Sequence, residues 1–131
     1  MKLSLKVLQA ATLVLLILST SCKDDKDPVV QECNLETSTA EFEEASMNVT
    51  YTIETTGDAE VSKFTYYDET GKMEIEKPDL PYEKEILLTT QKTIQAKALG
   101  KVTNGSIKIS FKGVGLNSSY EGSDECSHTS N

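Results

Sequence analysis

From residue 48 onward the chain alternates apolar and polar positions with a period of two, and turn residues interrupt the alternation every eight to twelve positions. A period of two puts successive side chains on opposite faces of a strand. Val49, Tyr51 and Ile53 alternate with Thr50, Thr52 and Glu54, which predicts a half-buried strand broken by Gly57-Asp58. Residues 60–67 predict a second strand with Phe64 and Tyr66 on its inner face. Asp68-Glu69-Thr70-Gly71 is a turn, and Met73 and Ile75 mark a short third strand. Pro78 and Pro81 bar regular ladder pairing around Leu80. Residues 82–89, with Ile86 and Leu88 on one face, give the fourth strand, and Ile94, Ala96 and Ala98 give the fifth. Asn104-Gly105 follows as a hairpin signal, because both residues tolerate positive φ. Ile107, Ile109 and Phe111 then alternate with Lys108, Ser110 and Lys112 in the most regular strand of the chain. Gly113 turns it, and residues 114–120 give the seventh.

Seven short strands, each with one apolar face, must bury those faces against a second sheet. The pattern therefore predicts an all-β, immunoglobulin-like antiparallel β-sandwich, without the cross-sheet tryptophan of antibody domains. Residues 34–47 admit two readings. Ser38-Thr39-Ala40-Glu41 matches a capping box that would open a short helix, or the stretch is an edge strand.

The N-terminus has a different pattern. Lys2 and Lys6 precede an apolar run from Val7 to Leu18, and Ser19-Thr20-Ser21 lead into Cys22. A charged start, a short apolar core and a small-residue cleavage site make a secretory signal. The run of about 12 residues is too short for a bilayer-spanning helix, which needs about 20. The cleavage region resembles a lipobox, the motif at which bacterial lipoproteins are lipidated and cut before the cysteine. Ser21 fits that motif, whereas Ser19 stands where leucine is usual. The following Cys22-Lys23-Asp24-Asp25-Lys26-Asp27 resembles the start of surface lipoproteins of Bacteroidota-type bacteria, in which a short acidic stretch directs export to the outer face. This implies a chain held on the outer membrane by lipid on Cys22 and facing the cell exterior. Physically the stretch is also a solvated tether. Asp24, Asp25 and Asp27 lack the glycine and closing glutamate of a calcium loop. The expected organisation is a signal peptide over 1–21, a lipidated cysteine and tether over 22–33, a sandwich over 34–126 and a disordered tail over 127–131.

Cleavage before Cys22 leaves eleven lysines against twenty-one acidic residues, a net charge of −10, and the chain has no arginine. Such a chain has no guanidinium for bidentate phosphate contacts, which argues against nucleic acid as a partner. It also argues against docking on anionic headgroups by charge. Once Cys22 carries lipid, Cys33 and Cys126 remain. In an oxidising compartment they are expected to pair as a disulfide, which would stabilise by up to ~4–5 kcal/mol in the chain-entropy model. The alternative is that both lie in mobile ends and never meet.

Three pieces in order carry a family resemblance: NVTYTIETTGDAEVSKFTYYDETGK, LPYEKEILLTT and SIKISFKG. They resemble the small mycobacterial membrane protein (MmpS) family and its lipoprotein relatives. Val49, Thr50, Tyr51 and Gly57 match its first motif, Thr65, Tyr66, Asp68 and Gly71 its second, and Leu80-Pro81 its third, with Tyr82 in place of tryptophan. The resemblance covers about residues 48–113 and implies a seven-stranded sandwich beside a large lipid exporter. Family members pair a cysteine in the penultimate strand with one near the C-terminus. The strand of Ile107, Ile109 and Phe111 has none, so Cys126 would need Cys33. Those proteins also carry a transmembrane helix where this chain has a lipobox. The matched residues are turn and core positions, which carry fold and not activity.

No catalytic set assembles from the sequence, and no cofactor is implied. His128 is the only histidine and lies in a polar tail. Cys126-Ser127-His128 offers two ligands beside a chain end, a poor metal site. Glu83 and Glu85 share a strand face, with Lys84 on the other, which is the usual look of a solvated face. No nucleophile stands beside a base. The classes left are a surface-tethered binding or accessory module with an envelope protein partner, a structural envelope component, and an inhibitor of a foreign enzyme. Tyr67 and Tyr120 are candidate contact residues.

Overall fold

The structure, a computed structural model, describes residues 27–131. The signal segment, Cys22 and the charged run 23–26 lie outside the described residues. Among those described, eight strands follow in order: β1 (Gln31–Glu36), β2 (Ala40–Glu41), β3 (Met47–Asp68), β4 (Gly71–Glu76), β5 (Tyr82–Leu88), β6 (Thr93–Ile94), β7 (Ala96–Val114) and β8 (Ser119–His128). All pairings are antiparallel. The expected all-β, immunoglobulin-like sandwich is the fold observed.

Its layers are made from two very long strands. β3 and β7 pair along almost their whole lengths, from Asn48 with Val114 to Tyr66 with Ala96. Both bend together where Gly57 faces Gly105. One layer holds β5, the first half of β3, the second half of β7, and β8. The other holds β4, the second half of β3, the first half of β7, and β1.

Gly57-Asp58 and Asn104-Gly105 are therefore not the strand break and hairpin turn that the sequence predicted. Both lie inside continuous strands. A Cβ on Gly57 would run into the Asn104 carbonyl, and one on Gly105 into the Thr56 carbonyl. Both glycines have positive φ, 61° and 157°, and the register slips between Asp58 and Ala59. Glycine and a bulge inside a ladder bend it and strengthen its twist. The dipeptide pattern reports backbone freedom, and here the bend uses it rather than a reversal.

Residues 34–47 form no helix. Thr37 continues the β1 edge, with its N–H donating to the Ala96 carbonyl and its hydroxyl accepting from Ala96 N–H, both at 3.0 Å. β2 pairs with β6, and Phe42 is buried just beyond it. The extended course carries both Leu35 and Phe42 into the core. The ordered body also starts earlier than expected, at Gln31, and β8 reaches His128, so the tail is shorter. Residues 114–120 are the end of β7, a turn closed by Gly115 N–H on the Ser118 carbonyl at 2.8 Å, and the start of β8.

The core follows the alternation. Val49, Tyr51, Ile53, Phe64, Tyr66, Ile107, Ile109 and Phe111 are all buried. Tyr51 and Tyr66 meet across the layers with ring centroids 5.1 Å apart, and Phe64 meets Tyr82 edge-on at 5.3 Å. The Tyr51 hydroxyl donates to the Tyr67 carbonyl at 2.9 Å, which satisfies a group that would be costly to bury alone. Lys108 is exposed as expected. Ser110 is half-buried and hydrogen-bonded to the Thr52 hydroxyl, so it does not simply face water.

Candidate functional site

The two sides of the sandwich are finished differently. On one side β1 and β8 are the outermost strands of their layers, and Cys33 and Cys126 are joined as a disulfide with Cα atoms 5.9 Å apart. Asp124 lies on the inward-facing register of β8, opposite Ile109. Its Oδ2 accepts from Glu36 N–H and its Oδ1 from Glu125 N–H, each at 2.9 Å. One carboxylate thus occupies donors on both strands, and an inward-pointing charge on an edge discourages pairing with another chain. This side is closed.

The other side is open. β5 pairs with β3 alone, Tyr82 to Ile53 through Leu88 to Met47. Leu88 is buried and Ile86 and Tyr82 half-buried on the inner register, where Lys84 is exposed at the rim. Glu83, Glu85 and Leu87 face outward, opposite Thr52, Thr50 and Asn48. Leu87 is 54 % exposed. Among the described residues no ion pair includes Glu83, Lys84 or Glu85. Several strand charges elsewhere are matched, as in Lys97–Glu36 at 3.2 Å and Lys112–Glu121 at 3.8 Å.

Two carboxylates brace the end of the sandwich away from the bend. Glu69, in the β3–β4 turn, accepts from Thr89 and Thr90, through both N–H groups at 2.7 Å and through both hydroxyls. The Thr89 hydroxyl first, then that of Thr90, holds this carboxyl far below the usual carboxylate range. Glu44 accepts from Leu116 N–H at 2.7 Å, from Asn117 N–H and from the Ser118 hydroxyl. The Ser118 hydroxyl lowers its pKa most, burial opposes, and the Asn117 and Leu116 amides add to the lowering. Lys92 Nζ donates to the Glu44 carbonyl at 2.6 Å and stands 4.7 Å from the centre of the Phe42 ring. The loop so held presents Leu116, which is 93 % exposed.

The structure joins the predicted pair Cys33 and Cys126, while Cys22 lies outside the described residues. It places His128 at the end of β8, paired with Gly105 and with its Nε2 enclosed, instead of in an irregular tail. Glu83 and Glu85 share a face and Lys84 takes the other, as expected. Tyr67 and Tyr120 are half-buried strand residues. No group of three or more His, Cys, Asp or Glu suited to a metal occurs among the described residues. A depression of about 570 Å³ bounded by Ser38, Lys108, Ser110, Phe111, Lys112 and Glu121 is open, with polar and charged side chains around Phe111, unlike the enclosed apolar pockets that bind small molecules. The alternation of residues does not reveal the roles of Glu44, Glu69 and Asp124. Each acts on backbone far away in sequence, and nothing local marks it. No family model matches this chain, and neither does any curated protein or solved structure.

Proposed function

We propose that this chain is an outer-membrane lipoprotein, cleaved before Cys22, lipidated there and facing the cell exterior, whose sandwich is a non-catalytic binding or accessory module. The observation that carries this reading is the apolar run ending in Ser19-Thr20-Ser21-Cys22 with the acidic stretch directly behind it. The start of β1 supports it. Gln31 follows Cys22 by nine residues, which span at most about 30 Å when extended. The lipid would therefore hold the sandwich close to the membrane, entering at the bend end, where Gln31 pairs with Val102. The opposite end, with Leu116 on its braced loop, would then face outward, and the open β5 side would run alongside from the membrane-facing end towards it. The family resemblance favours a second reading, an accessory subunit of an envelope transporter, which would show as co-purification with that transporter.

The test is metabolic labelling with a fatty-acid probe, followed by protease shaving of intact cells. The native chain takes up label and Cys22→Ala does not. Shaving removes the domain from intact cells. Equal label in both chains sinks the anchor assignment, and protection until lysis places the domain in the periplasm.

A further inference from the structure

Resting on the reading of the sandwich as a binding module, we propose that the free edge of β5 takes an extended segment of a partner protein as an added antiparallel strand. The segment carries an apolar residue opposite Leu87 and cationic residues opposite Glu85 and Glu83.

An edge strand offers alternate N–H and C=O groups to any extended chain that can lie beside it, and such addition is a recurring mode of peptide recognition. Of the outer strands here, β1 and β8 are tied to each other by the Cys33–Cys126 bond and by Asp124. The outward Glu74 and Glu76 of β4 already lie 3.8 and 3.9 Å from Lys63. β5 is bonded to no other outer strand, its Glu83 and Glu85 join no ion pair among the described residues, and its inner-register charge, Lys84, is exposed and equally unmatched. Its seven residues run along the open side, with N–H and C=O groups on the side away from β3.

The side chains state which strand would fit. Across the ladder inside the molecule, Glu83 and Glu85 meet only Thr52 and Thr50, and Leu87 meets Asn48. Their charge and apolar surface are left for the outer side. Directly opposed residues on neighbouring strands interact most strongly, and opposite charges there are favourable. A complementary antiparallel segment therefore has an apolar residue, then a lysine or arginine two positions on, and a second one two positions beyond that. An acidic residue between the two cations would oppose Lys84. The same charges reject a second copy of the chain in the register that pairs the charged stretch with itself, because it sets Glu83 against Glu85 and Lys84 against Lys84. The net charge of −10 after cleavage adds to that rejection and draws a cationic partner.

The probe is a fluorescent peptide containing valine, isoleucine, lysine, glutamate and lysine in that order, added to the whole chain in detergent at low ionic strength. Saturable anisotropy is expected, with slowed amide exchange confined to β5. Glu83→Lys with Glu85→Lys should weaken binding by about tenfold and shift preference to a peptide with glutamate, lysine and glutamate at those places. An unchanged melting temperature would show that this variant is folded. Equal binding of both peptides, protection mapped to another strand, or no binding at all overturns the proposal. Self-association lost in Leu87→Asp also overturns it, in favour of a second copy. Lipid labelling of the same preparation separates a failure here from a failure of the anchor assignment.

Discussion

Gly57 and Gly105 face each other across the central ladder, each backbone filling the space that a side chain on the other strand would need. Both layers depend on that approach, since β3 and β7 pass from one to the other at this point. Gly105→Ala combines a collision with the Thr56 carbonyl and an unfavourable positive φ. Strain alone should cost about 1–3 kcal/mol, with the collision on top. Gly71→Ala is the control: its φ is 122°, yet an added Cβ meets nothing within 4 Å. Urea unfolding should rank Gly105→Ala well below Gly71→Ala in stability. Equal losses would mean that the close approach is unimportant.

The Cys33–Cys126 bond closes a long loop, with a sequence separation of 93, and ties the outer strands of both layers. Replacing both cysteines by serine should lower stability by about 2–5 kcal/mol. Reductant should shift the native unfolding midpoint towards that of the variant and leave the variant unmoved. A native midpoint indifferent to reductant would contradict the bond.

Ile109 is fully buried in the middle of β7. Ile109→Ala should cost about 2–5 kcal/mol, from lost transfer energy and the cavity left behind. Ser110→Ala removes the partner of the half-buried Thr52 hydroxyl and should cost about 1 kcal/mol. Thermal melts of the two variants decide the matter. A larger loss at Ser110 would mean a register slipped by one residue.

Glu69 makes the hold on Thr89 and Thr90 depend on pH. Its folded pKa is depressed by the Thr89 and Thr90 hydroxyls, so its stabilisation is present above the unfolded value of about 4.3 and is lost as pH falls through the folded one. Amide exchange at Thr89 and Thr90 should quicken, relative to intrinsic rates, as acid is added to the native protein. In Glu69→Gln the amides should already exchange faster near neutrality, with little further change in acid. Identical pH profiles for the two proteins would remove Glu69 from this role.

The inward residues of each strand were legible because a period of two leaves little choice once one face is buried: Val49, Tyr51 and Ile53, or Ile107, Ile109 and Phe111, cannot turn outward together without exposing a whole row. Cys33 and Cys126 were legible as a pair because the lipobox resemblance assigns Cys22 to a lipid and leaves these two. The path of the strands was not. Gly57 and Asn104-Gly105 carry the same local signal in a tight reversal and in a bend, and only the contact between two backbones nearly fifty residues apart decides between them. The same holds for the two sides of the sandwich. Asp124, Glu69 and Glu44 act on donors that chain neighbours do not reveal, and the unmatched charge of β5 exists only because folding set Glu83 and Glu85 opposite threonines. Local alternation determined which apolar residues of the regular strands are buried. Which edge was closed and which was left open was decided by long-range pairing, because an edge is a property of the assembled sheet and not of any one strand.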